Sequence, residues 1–166
     1  MFDTQLRSLV ERPLNVVALR LARAGLSADC LTLSGVLVAL GAAAAILGDH
    51  LPLALALIAA SRIFDGLDGA VARVNGPTAW GGYLDSLCDY LFYVAVPLGF
   101  ALVSPANEFS ATLLLAGFTL TAVSFLTLAA IVAGQDLGHG SKAFTYSTGL
   151  MEGGETIAFF IAMCLF

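Results

Sequence analysis

The sequence predicts an all-α integral membrane protein, with an interfacial amphipathic helix followed by a bundle of transmembrane helices. Composition is the first observation: 59% of residues are hydrophobic and only 11% charged, whereas soluble domains carry nearer about 25% charge. Mean hydropathy is +0.92, which points to lipid rather than a large soluble core as the solvent. The second is a succession of apolar runs, each close to the ~20 residues a helix needs to cross a ~30 Å hydrocarbon core. The third is an arginine-rich amphipathic lead-in with no long apolar run before residue 31, so it is not a secretory signal.

The lead-in spans Leu6–Leu21. Leu6, Leu9, Val10, Leu14, Val17 and Leu21 recur at helical spacing, with Arg7, Arg12, Arg20 and Arg23 interleaved. That pattern suits a helix lying on the membrane surface; the alternative is a helix packed on the protein. Pro13 either kinks it or begins a fresh helix. Five candidate spans follow: Leu31–Leu47, Leu51–Phe64, Tyr83–Val103, Phe109–Ala133 and Leu150–Phe166. Gly48-Asp49-His50, Ser104-Pro105 and Gly134-Gln135-Asp136 separate them, and the second turns into the third near Asn75-Gly76-Pro77. No internal repeat appears, so residues 1–166 read as one domain.

Lysine and arginine set the orientation. The N-terminal segment has four arginines, and Arg73 and Lys142 lie in alternate connections; the connections at 48–50 and 104–108 have none. The N-terminus therefore belongs in the cytoplasm, in an inner (cytoplasmic) membrane. The net charge of −5 argues against nucleic-acid partners. Cys30, Cys88 and Cys164 form no paired motif, so neither a disulfide framework nor a zinc site is indicated.

The chemistry lies at residues 65–89, DGLDGAVARVNGPTAWGGYLDSLCD. Asp65 and Asp68 are three apart, Asp85 and Asp89 four apart, so each pair shares a helix face. The turn between the two spans makes them antiparallel neighbours and lets the four carboxylates converge at the cytoplasmic boundary. Four charges there need compensation. Arg62 and Arg73 neutralise two at most. A divalent cation supplies the rest, and an all-oxygen donor set without histidine favours magnesium, manganese or calcium over zinc. Four carboxylates have room for one ion or two. Gly69 and Ala72 lie one turn beyond Asp65 and Asp68. They leave space for a ligand against the backbone, or for close helix packing.

This stretch resembles the signature of the CDP-alcohol phosphotransferase (CDP-alcohol phosphatidyltransferase) family, D-x2-D-G-x2-A-R-x8-G-x3-D-x3-D. It matches at Asp65, Asp68, Gly69, Ala72, Arg73, Gly81, Asp85 and Asp89, with seven rather than eight residues between Arg73 and Gly81. The resemblance implies six spans where this chain offers five, so the sixth is expected to be missing. It implies transfer of a phosphatidyl (phospho-alcohol) group from a CDP-linked lipid, CDP-diacylglycerol, to an acceptor hydroxyl, with release of CMP in phospholipid synthesis. It makes Asp65, Asp68, Asp85 and Asp89 ligands of Mg2+ or Mn2+, and Asp89 also the catalytic base. It brings Asp68, Gly69, Ala72, Arg73, Gly81 and Asp85 to the CDP donor. It also implies a homodimer, through the third and fourth spans. Small and hydroxyl residues such as Ser110, Gly117, Thr121 and Ser124 on the fourth span agree with close helix approach.

Four further polar residues have two readings each. Arg62 lies one turn deeper than Asp65, and Glu152 and Glu155 share a face at the start of the fifth span. They either form an acceptor pocket or pair with one another. Lys142 either meets an acceptor phosphate or is solvated. Trp80 reads as an interfacial anchor. Two other functions fit an acidic membrane site: an aspartate-rich prenyltransferase, and a non-enzymatic cation transporter. The first is longer and lacks the Asp-Gly-x2-Ala-Arg pattern; the second needs polar lining across the bilayer, whereas here the acidic residues crowd one face.

Overall fold

The computed structural model describes residues 2–135 and 153–165. They form six helices in chain order: α1 (Phe2–Arg23), α2 (Ala28–Leu47), α3 (Leu51–Asn75), α4 (Ala79–Val103), α5 (Pro105–Gln135) and α6 (Gly153–Leu165). The expected all-α bundle is present, and each predicted span is matched by a helix. Helices α2 to α5 have 20 to 31 residues, or about 30–46 Å at 1.5 Å per residue.

The amphipathic lead-in is α1. It runs unbroken across Pro13, so no fresh helix starts there; the ring removes one backbone N–H without ending the helix. One face packs on α3: Ala18 is buried with Leu31, Ala70 and Val71. Gly66 admits the approach, since a Cβ there would stand 3.0 Å from Leu14 Cδ1. Val16 and Leu19 are left exposed, an apolar outer surface suited to the bilayer boundary.

Short connections make the following helices antiparallel neighbours. Ser27 caps α2 by accepting a hydrogen bond from the Cys30 N–H at 3.2 Å. At the end of α3 the chain turns through Gly76, whose φ of +94° is a conformation L side chains rarely adopt. Thr78 then caps α4, accepting from the Gly81 N–H at 2.9 Å.

The interior of the bundle is built from small residues. In lipid, helix association rests on van der Waals contact and close backbone approach. Ala39, Ala42 and Ala45 of α2 are buried, and α3 and α4 press against that helix. A Cβ on Gly35 would lie 3.1 Å from Phe64 Cβ, and one on Gly99 3.2 Å from the Ala43 carbonyl oxygen. Ile46, Ile58, Phe92, Val96 and Phe160 fill the remaining core. The Phe92 and Phe160 rings meet edge to face at 5.4 Å.

Helices α2, α4 and α5 are each long and apolar enough to cross a membrane. Helix α3 is long enough too, but from its middle onward it carries Arg62, Asp65, Asp68 and Arg73. Helix α5 packs mainly on α4 and leaves Phe109, Leu113 and Leu120 bare.

Candidate active site

The polar residues gather at one end of the bundle, where α2 begins, α3 ends and α4 begins. Helical spacing carries Arg62, Asp65, Asp68 and Gly69 along one side of α3, while α4 returns alongside with Asp85 and Asp89. Asp65, Asp85 and Asp89 each offer one oxygen, and these atoms lie within 4.8 Å of one another. Oxygens sharing one octahedral magnesium at 2.0–2.1 Å would be about 3–4 Å apart. The carboxylates therefore fit a hard divalent cation after a small contraction.

Asp68 stands apart from this triad. It is 3% exposed and lies beside Thr32 of α2, whose hydroxyl donates to the Ala28 carbonyl at 3.0 Å. Beside it opens a cavity of about 370 Å³, within the ~300–1,000 Å³ typical of small-molecule sites. Asp68, Gly69, Ala72, Gly81 and Asp85 line it. A Cβ added to Gly69 would meet only Arg73 Nη1, at 3.6 Å, so the glycine leaves open room on the cavity side. Arg73 is exposed, does not line the cavity, and makes no ion pair among the described residues. Asp85 belongs to both features: it lines the cavity and contributes an oxygen to the triad.

On the triad's other side lies Arg62, with a side chain only 15% exposed. Its Nη1 donates to Asp89 Oδ1 at 2.8 Å and stands 3.5 Å from Asp65 Oδ1. The guanidinium carbon is 4.1 Å from the centre of the Phe92 ring. The expected proximity of Arg62 to Asp65 is present, but the shorter contact is with Asp89, across the α3–α4 interface. Glu155 is on α6, its side chain outside the described residues; Lys142 and Glu152 lie wholly outside them.

Sequence reasoning missed the α2 contribution. Ser27, Ala28, Asp29 and Thr32 form one wall of the cavity, with Thr78 opposite. A Cβ on Gly81 would stand 3.1 Å from Thr78 Oγ1 and 3.4 Å from Asp29 Oδ1, so Asp29 of α2 lies in contact distance of α4 there. The signal was an aspartate and a threonine three apart at the head of an apolar span, easily taken for capping residues. A larger cavity of about 530 Å³, between α4, α5 and α6, is walled by Tyr90, Tyr93, Phe118 and Phe159 among others, with no carboxylate among its described lining residues.

Among the described residues, an all-helical membrane bundle thus carries a carboxylate triad beside a small cavity, an arrangement suited to metal-assisted chemistry on a bound ligand. Residues 26–166 match the CDP-alcohol phosphatidyltransferase family, and the chain belongs to it. It is 40% identical to the inner membrane protein YnjF of Escherichia coli over 171 residues, covering 100% of this chain and 82% of that protein. It is 30% identical to the archaetidylinositol phosphate synthase of Pyrococcus horikoshii over 164 residues, covering 98% and 82% of the two. The fold is similar to the crystal structure of Mycobacterium tuberculosis phosphatidylinositol phosphate synthase (PgsA1) with CDP-DAG bound. There the TM-score is 0.64 and identity 25%, over 91% of this chain and 74% of that one. The protein is thus an integral membrane enzyme of the CDP-alcohol phosphotransferase class, which sets aside the prenyltransferase and transporter readings.

Proposed function

We propose that this enzyme transfers the phosphatidyl group of CDP-diacylglycerol to the hydroxyl of a small alcohol or phospho-alcohol, releasing CMP at the cytoplasmic face of the membrane. The observation that carries this reading is the position of Asp85, shared between the carboxylate triad and the polar cavity. The CDP moiety lies in the cavity against Gly69 and Ala72, with Asp68, Asp85 and Gly81 bordering it and Arg73 at its phosphates. Family membership and the CDP-DAG-bound fold relative support this placement. Asp65, Asp85 and Asp89, with Asp68 beside them, would hold Mg2+ or Mn2+, as one ion or two. When bound, the metal supplies charge neutralisation for the pyrophosphate and the leaving CMP.

The chain's own groups do the rest. Asp89 takes the proton of the acceptor hydroxyl. The acceptor oxygen bonds to the lipid-side phosphorus, the phosphorus–oxygen bond to CMP breaks, and CMP carries away the bonding pair. Arg73 holds the donor phosphates in line for this displacement. Arg62 faces the acceptor from the triad's far side. The enzyme works as a homodimer joined through α4 and α5, a reading supported by the small and hydroxyl residues Ser110, Gly117, Thr121 and Ser124 of α5.

The test is incubation of purified enzyme with CDP-diacylglycerol, magnesium and a panel of acceptors, including inositol phosphate, glycerol phosphate and serine. One acceptor should give a new phospholipid by mass, with CMP in equal amount. No lipid product and no CMP with any acceptor would reject the assignment.

A further inference from the structure

The proposed function leaves one feature unexplained. The most buried cation of the site sits within the carboxylate cluster, not at its edge. Arg62 Nη1 is 2.8 Å from Asp89 Oδ1 and 3.5 Å from Asp65 Oδ1. These are two of the three residues whose oxygens converge within 4.8 Å. An arginine cannot leave such a site by losing its proton, because it stays charged at any physiological pH. It can leave only by moving. The face of Phe92, 4.1 Å from its guanidinium carbon, gives it a platform that does not depend on either aspartate.

We propose that Arg62 is the resident counter-cation of this cluster, holding Asp65 and Asp89 in the metal-free enzyme and giving them up to an incoming divalent ion. The inference rests on the metal reading of the site and deepens it. Two cations that want the same carboxylate oxygens are linked, and the linkage is reciprocal. Arg62 weakens the ion's binding by the same factor by which the ion loosens Arg62. The arrangement lets the chain fold with its carboxylates compensated before any ion arrives. It also keeps Asp89 engaged until the ion is in place.

The test needs no substrate. Binding of Mn2+ to the full-length enzyme in detergent is followed by the electron paramagnetic resonance signal of the free ion, for wild type and Arg62→Met. The variant should bind Mn2+ more tightly, on the order of tenfold. Its thermal midpoint should fall below wild type in chelator and return to the wild-type value in saturating Mn2+. Unchanged or weaker Mn2+ affinity would overturn the proposal, as would a deficit in midpoint that Mn2+ does not restore, since a purely structural arginine behaves that way. Should Arg62→Met not survive purification, Arg62→Lys serves. Its compact charge cannot span both carboxylates, so it too should bind Mn2+ more tightly than wild type, and equal or weaker binding counts against the proposal. A wild-type enzyme that binds no Mn2+ at all removes the metal reading and this inference together. Normal wild-type binding with no gain in the variants removes this inference alone.

Discussion

Arg62 donates a 2.8 Å hydrogen bond to Asp89 across the α3–α4 interface, tying the last aspartate of the signature to the only cation found among the triad's described contacts. Asp89 is also the group assigned as base. An amide at this position keeps the shape but cannot accept a proton. Asp89→Asn should therefore lower turnover by about 10²–10⁴-fold, while CDP-diacylglycerol binding changes little. Single-turnover CMP release and equilibrium binding of the donor separate the two effects. Near-normal turnover in Asp89→Asn would assign the base elsewhere.

Arg62 faces the triad on the side away from the cavity. At saturating metal, Arg62→Ala should raise the acceptor's apparent KM more than that of the CDP donor. Steady-state kinetics with each substrate varied in turn decides this. Equal effects on both would confine Arg62 to its ion pairs.

Gly69 offers a direct test of the cavity. The space beyond its Cα is open except for Arg73 Nη1 at 3.6 Å, so a larger side chain fills the cavity without colliding with backbone. Gly69→Leu should weaken donor binding by at least about tenfold, equivalent to about 1.4 kcal/mol. The thermal midpoint should stay near wild type, since leucine also favours helix over glycine. Retained donor affinity would show that the CDP group binds elsewhere.

Gly35 is the structural counterpart. There a Cβ would come within 3.1 Å of Phe64 Cβ, next to Asp65. Gly35→Val should destabilise the bundle by about 1–3 kcal/mol, the usual range for overpacking. It should also lower activity by shifting the α3 face that bears Asp65. A thermal melt in detergent checks the first effect and turnover the second.

Helix α5 leaves Phe109, Leu113 and Leu120 exposed at 79%, 64% and 72%. If this face joins two copies, a cysteine placed at Leu120 in a cysteine-free background should crosslink to its partner in lipid nanodiscs. A monomeric mass with no crosslink would overturn the dimer.

Much of this architecture is legible from residues alone, because lipid imposes simple rules. Apolar length gives the helices, and the three- and four-residue aspartate spacings give shared faces. The Asn75-Gly76-Pro77 turn brings those faces together, and Arg62 falls beside Asp65 by helical spacing. What spacing along one helix cannot show is partner choice between helices. The Arg62–Asp89 contact joins residues 27 apart in sequence and depends on how closely α3 and α4 approach. The same holds for Asp68. It shares a helix face with Asp65, yet lies beside Thr32 of α2 and borders the cavity. Asp29 and Thr32 were hidden for a related reason: at the head of a helix, such residues ordinarily serve the helix's own backbone.

If this carboxylate site splits a CDP-lipid with the help of a divalent ion, CMP release must depend on that ion. The most direct measurement is CMP release from CDP-diacylglycerol by purified enzyme with its acceptor, first in excess chelator and then with magnesium or manganese restored. Release should be absent in chelator, recover with either ion, and fail to recover in Asp85→Asn, because Asp85 joins the triad to the cavity. Full CMP release in chelator, or undiminished recovery in Asp85→Asn, would contradict this reading of the site.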